Sequence, residues 1–208
     1  MLQEWLLEFL VMLPAVLWAI TIHEFAHGIV AYKLGDPTPR ITGRLTLNPL
    51  AHLDLIGFLA LLLVHFGWAK PVLVNPQNFR KLSRKTAEVL VAFAGPLANF
   101  LSAFVSLLLL KYLPFASLPL NISEPLYYMV KYSVLINVAF GVFNLLPIPP
   151  LDGSKILEAF LPPKLYYSYK KIEPYGFLIL LILIVSPVLK WILLPLVNTI
   201  ISVMWAVT

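Results

Sequence analysis

The sequence predicts an all-α, polytopic transmembrane helix bundle with a three-helix core and a re-entrant or extended element between the first and second core helices. Composition is the first reason. Hydrophobic residues fill 60% of the 208 positions and charged residues 12%, with a mean hydropathy of +0.88; an average soluble domain has about twice that charged share. So little polar surface cannot coat a water-soluble globule, and the bilayer must be the solvent for most of the chain. The second reason is the layout: long apolar runs are separated by Pro, Gly and short basic clusters. The third is that potential metal ligands sit inside or at the ends of those runs. The length fits one domain over 1–208, with no internal repeat, low-complexity tract or Ser/Gly linker.

The first core helix is expected at about 5–34. It contains HEFAHG (His23 to Gly28) and stops at Gly35, Asp36 and Pro37. Glu4 and Glu8, with no basic residue near them, read against a cleaved signal peptide, so this helix is expected to stay in the mature chain. Residues 41–48 alternate polar and apolar like a short strand. The apolar run 55–68 is only about 14 residues, short for a span, and the Pro-interrupted stretch 67–76 after it reads as extended. A second core helix is expected at 87–110, carrying AGPLAN (Ala94 to Asn99). A Pro-rich loop follows, and then a third core helix at 126–149 leading into NLLPIPPLDG (Asn144 to Gly153). Residues 177–207 form either one kinked helix or a tight pair.

Basic residues fix the expected topology. Lys33, Arg40, Arg44 and the cluster from Lys70 to Lys85 share a side with the stretch 155–171 only if region 41–75 dips in and returns without crossing. The N-terminus is then outside and the basic clusters are cytoplasmic. The net charge of +5 is spread over these short clusters, which suits topology signals and lipid headgroups rather than nucleic acid. The absence of cysteine excludes disulfides and thiolate ligands.

HEFAHG is an HExxH on a helix. His23 and His27, one turn apart on one face, can both reach a single ion, while Glu24 lies beside it and is placed to take a proton from water. Inside a span two His and a Glu are costly unless partnered, which favours a metal over a purely structural role. A catalytic zinc needs a third protein ligand. Asp36 reads as part of a turn; Asp54, His52 and His65 belong to the re-entrant stretch. Asp152 ends a span after three prolines, at a depth matching His23: each is roughly 27–31 Å of helix from the outer surface. A helix N-cap is the alternative role for Asp152, and Glu158 the alternative third ligand.

HEFAHG, AGPLAN and NLLPIPPLDG, in this order on three apolar segments, closely resemble the site-2 protease family of intramembrane zinc metalloproteases. The stretches LTLNPLAHLD and GWAKPVLVNP are similar to its compact subgroup, which lacks a PDZ or CBS domain. The resemblance implies one zinc per chain held by His23, His27 and Asp152, with Glu24 as general base and Asn144 as a substrate or oxyanion contact. It also implies that Gly95 and Asn99 lie on a closely packed middle helix. Asn137, seven residues before Asn144, is expected to hydrogen-bond between helices or to face the same cavity. Where many relatives of the subgroup carry Asp-Pro after the His, this chain has Asp54 and Leu55.

The implied activity is hydrolysis of peptide bonds in or near transmembrane segments of membrane-protein substrates, in a multi-pass protein of a prokaryotic cell membrane with the active site toward the cytoplasm. A metal transporter using the same ligands and a catalytically silent membrane chaperone are the rival readings.

Overall fold

The structure, a computed structural model, describes residues 2–64 and 67–208; His65 and the expectation attached to it fall outside these. Its long helices are α1 (Leu2–Lys33), α4 (Arg84–Tyr112), α5 (Leu120–Asn144) and α9 (Pro187–Val207), with the shorter α2 (Thr38–Ile41), α3 (Leu55–Val64), α6 (Asp152–Phe160), α7 (Pro163–Lys170) and α8 (Gly176–Val185) between them. Within the described residues, four helices are long and apolar enough to cross a membrane: Leu7–Lys33 of α1, α4, α5 and α9.

Helices α1, α4 and α5 pack together as the core. Small residues bring them close: Ala31 and Ala87 at one end, Ala103 with Val138 and Val142 further along, all buried. Helix α9 adds Val197 to the second cluster. The C-terminal region is therefore a helical pair: Ser186 and Pro187 separate α8 from α9, and Pro195 lies within α9 without ending it.

Local chemistry sets the ends. Helix α1 stops in a Schellman turn: Gly35 takes φ +113°, the Asp36 amide bonds to Ala31 O at 3.0 Å and the Gly35 amide to Tyr32 O at 3.1 Å. Ser83 caps α4 through the Thr86 amide. Helix α5 begins at Leu120, ahead of the expected 126, because Pro125 costs it a hydrogen bond without breaking it. It ends at Asn144, short of the expected 149, because Pro147, Pro149 and Pro150 cannot donate.

The strand expected over 41–48 does not form. Ile41 closes α2, Gly43 turns the chain at φ +69°, and Asn48 caps a short 3-10 turn over Pro49–Ala51. The one β-bridge among the described residues joins Leu53 to Ala69, antiparallel, and the Lys70 amide donates to His52 O at 2.9 Å. The segment between them thus leaves and returns to the same place. Residues 69–75 form no helix, their exposure alternates from Pro71 to Asn75 as along an extended chain, and Asn75 is extended at φ −107°, ψ 103°.

Candidate active site

The site forms where α1 and α4 run antiparallel and α6 folds onto them. Contacts step along the pair in reverse order: His27 meets Val91, His23 meets Gly95 and Asn99, and Trp18 meets Ser102. Gly95 supplies the room. A Cβ on it would lie 2.5 Å from His27 Nε2 and 2.7 Å from His23 Cε1, closer than any side chain permits.

Asp152 arrives from the other direction. The prolines after α5 leave the chain irregular, and a Cβ on Gly153 would sit 2.1 Å from Leu145 O, so only glycine lets the start of α6 fold back onto the end of α5. Asp152 opens α6, but its side chain caps nothing; Leu151 occupies the N-cap position. Asp152 Oδ2 instead lies 3.1 Å from His23 Nε2 and 3.2 Å from His27 Nε2. The residues His23, His27 and Asp152 are the cluster of metal-ligand type among the described residues, with their ligand atoms within 4.8 Å of one another.

The surrounding bonds orient both rings. His23 Nδ1 is 2.7 Å from Asn99 Oδ1. The Asn99 amide nitrogen is spent on Ala19 O at 2.9 Å and Asn137 Oδ1 at 3.0 Å, so its oxygen must be the acceptor and His23 Nδ1–H the donor. His27 Nδ1–H donates to Val91 O at 2.7 Å. A neutral imidazole tied in this way turns its Nε2 lone pair toward the same carboxylate oxygen. That oxygen is buried and has no hydrogen-bond partner. Three electron-pair donors converging in an apolar surround repel one another unless a proton or a metal cation sits among them. Their 3.1 and 3.2 Å separations are near the ~3.3 Å edge of a tetrahedron with ~2.0 Å bonds, so the donor set fits a zinc ion.

Glu24, half-buried on the same turn as His23, is not in the cluster. Its Oε2 accepts a 2.8 Å hydrogen bond from the Val72 amide. Asn144 is buried on α5, with its amide nitrogen turned back to Phe140 O at 3.0 Å. Asn137 bonds between helices, joining Asn99 to Ser133. Glu158 pairs with Lys170 at 3.1 Å, away from the histidines. Asp36 is fully buried and accepts from Thr38, Asn75 and Asn78; Asp54 accepts from the Gly57 amide at the start of α3; His52 is fully buried and bonds to Thr46 O. None of these joins the cluster.

Sequence reasoning placed Asn99 on the middle helix but missed its bond to His23. A signal existed: a histidine inside a span must dispose of its Nδ1–H, and few polar residues on the facing helix can accept it. The Val72 amide left no such signal, since any residue but proline carries one. An apolar cavity of about 400 Å³ lies beside the site between α1, α3, α5 and the α8–α9 pair. Ala19, Ile20 and Phe140 form part of its wall, and the Phe140 ring is 4.9 Å from that of His23.

Comparison with known proteins agrees with this chemistry. The model of Peptidase family M50 matches residues 120–185. YwhC of Bacillus subtilis, provisionally named a zinc metalloprotease, is 40% identical over 182 residues, covering 86% of this chain and 82% of its own. Rip2 of Mycolicibacterium smegmatis, named in the same provisional way, is 29% identical over 192 residues, 88% of this chain and 70% of its own. The zinc metalloprotease MJ0392 of Methanocaldococcus jannaschii is 29% identical over 154 residues, 74% of this chain and 34% of its own. No solved structure matches. With a relative this similar over most of both chains and a family match running from α5 into α8, the chain belongs to peptidase family M50, the site-2 proteases.

Proposed function

We propose that this chain is a zinc-dependent intramembrane endopeptidase in which His23, His27 and Asp152 hold the metal and Glu24 is the general base. As a family member it is a metallopeptidase, and its long apolar helices make it an integral membrane protein. The observation that carries the residue assignment is the convergence of two Nε2 atoms and an unpartnered buried carboxylate oxygen on one point.

A zinc ion held there is a Lewis acid that makes water nucleophilic at neutral pH. The chain's own residues do the rest. Asn99 and Val91 keep both imidazoles in the ligating tautomer. Glu24 takes the water's proton as the water oxygen bonds to the peptide carbon, then returns it to the amine nitrogen as the C–N bond breaks. Asn144, once its bond to Phe140 O opens, offers an amide donor to the developing oxyanion. Substrates are transmembrane segments of other membrane proteins. Their helical carbonyls must be unwound, and the apolar cavity beside His23 accommodates an unwound apolar stretch out of water.

The deciding experiment pairs three variants of detergent-purified enzyme. Glu24→Gln keeps its zinc and loses at least ~10²-fold in turnover. Asp152→Ala loses its zinc, and Glu158→Ala keeps it. A Glu24→Gln enzyme with ordinary turnover would sink the reading, and metal flux surviving in that variant would favour a transporter.

The site faces the cytoplasm in this reading, with the segment between Leu53 and Ala69 re-entrant, since its two ends meet. The matched relatives are bacterial and archaeal, which fits a prokaryotic membrane. Single cysteines at positions 44, 80 and 168 should react with an impermeant maleimide from the cytoplasmic face, and one at 117 from the outer face. Outer-face labelling at 80 would reverse every later helix.

A further inference from the structure

The residue that most needs accurate placement in the reaction above is Glu24, and among the described residues its hydrogen-bond partner is a backbone amide. Its contact is the Val72 amide, 2.8 Å from Oε2. That amide belongs to the extended segment 69–75, which is fastened on both sides. The Lys70 amide donates to His52 O at 2.9 Å, and the Asn75 amide to Asp36 Oδ2 at 2.7 Å. Between these points Val72 and Val74 turn inward while Pro71 and Leu73 are exposed. Val74 packs against the Ala31, Leu34, Ala87 and Val91 cluster between α1 and α4.

A second observation places the same segment along the same helix face. Gly28 lies one turn after Glu24, and a Cβ there would be 3.5 Å from Val72 Cγ1. Val72 thus lies along the Glu24 face, its amide bonded to Glu24 and its side chain opposite the space a Cβ on Gly28 would take. In an extended chain alternate amides point to one edge, so Lys70 and Val72 both donate inward. Pro71, between them, has no amide to leave unpaired.

We infer that the Val72 amide is a positioning group for the general base: it pins Glu24 Oε2 and leaves Oε1 as the oxygen that receives the proton. The inference rests on Glu24 being the base. A carboxylate at the end of a Glu side chain otherwise samples several rotamers, and holding one oxygen removes that freedom before substrate arrives. The hydrogen bond uses backbone, so the identity of residue 72 is free within the limits of packing, but its N–H is not.

The test replaces Val72 by its α-hydroxy acid, which swaps N–H for oxygen and keeps the side chain. Turnover of a fluorescein-labelled synthetic single-span peptide that the wild type cleaves should fall about 10–100-fold in kcat, with KM and zinc content unchanged. Leu73→Ala, at the exposed side chain next to it, should stay within about threefold. Independently of activity, the ¹⁵N-labelled Val72 amide proton of metal-free protein should move upfield in Glu24→Ala. An unshifted Val72 amide overturns the inference, as does an ester variant that loses zinc together with turnover. Wild-type kcat in the ester variant with an inactive Glu24→Gln overturns it while leaving the proposed function standing. An active Glu24→Gln removes the proposed function itself.

Discussion

The three-helix core and the connection spanning residues 36–80 hold opposite sides of the site by different physical means. In the core, polar side chains are buried in regular helices and bond to one another: His23 to Asn99, Asn99 to Asn137, Asn137 to Ser133, Ser133 to Ser106. Every link crosses or braces a helix interface, so the imidazoles move only if helices move. In the connection, the described backbone outside α2 and α3 is irregular, and side chains cap it: Asp36, Asn48, Asp54 and Asn75 each accept from a main-chain amide nearby. It offers the site one backbone N–H. The geometry of the proposed ligands is thus coupled to helix packing, whereas the proposed base is set by a backbone segment that meets the helices through Val74 and a few hydrogen bonds.

The largest expected effect falls on the core. Gly95→Ala puts a methyl where no Cβ can fit, against both imidazoles. Because Asn99 and Val91 fix the rings from behind, they cannot retreat. Zinc content should fall from about one per chain to near zero, while circular dichroism stays helical. Zinc retained in Gly95→Ala would show that the core yields as the connection does, and would erase the contrast.

How much of this was legible follows from the same contrast. Core helices announce themselves by apolar length, and HEFAHG places two imidazoles on one face whatever surrounds it. Asp152 stood out among three aspartates by the prolines before it and by its depth, since α1 and α5 run in the same direction. The connection was harder. Alternation over 41–48 read as a strand, but Gly43 and the Asn48 cap won, since among the described residues no strand lies there to satisfy the extended backbone. The turn after α5 carries several prolines, which say that a helix ends without saying where the chain goes next. Gly153 decides that through a tertiary approach to Leu145 invisible in one sequence.

A smaller effect sharpens the comparison within the core. Asn99→Ala removes the acceptor for His23 Nδ1–H and the donor to Ala19 O and Asn137. Chelator competition should show zinc affinity weakened about 10–100-fold rather than abolished, the usual cost of losing a partner behind a ligand. Asn137→Ala, one bond further from the ring, should cost less. Equal losses would mean that the network acts as a unit.

The smallest effect belongs to the connection, at Asp36. Burial would raise its pKa, but hydrogen bonds from the Asn78 amide, the Thr38 hydroxyl and the Asn75 and Thr38 backbone outweigh it and hold the carboxyl below its ordinary value. The folded form therefore prefers the charged carboxylate. That contribution is present above the unfolded value of about 3.9 and drains away as pH falls through the lower folded value. Asp36→Asn should remove it at every pH, because Oδ1 and Oδ2 both accept and an amide has only one acceptor oxygen. The expected loss is about 1–3 kcal/mol. It should appear as faster hydrogen exchange across 69–80, with the α1 and α4 amides around His27 and Val91 unchanged. Exchange that quickens equally in those helices would mean that the connection and the core open together, and the Val72 amide could then not be tuned apart from the zinc ligands.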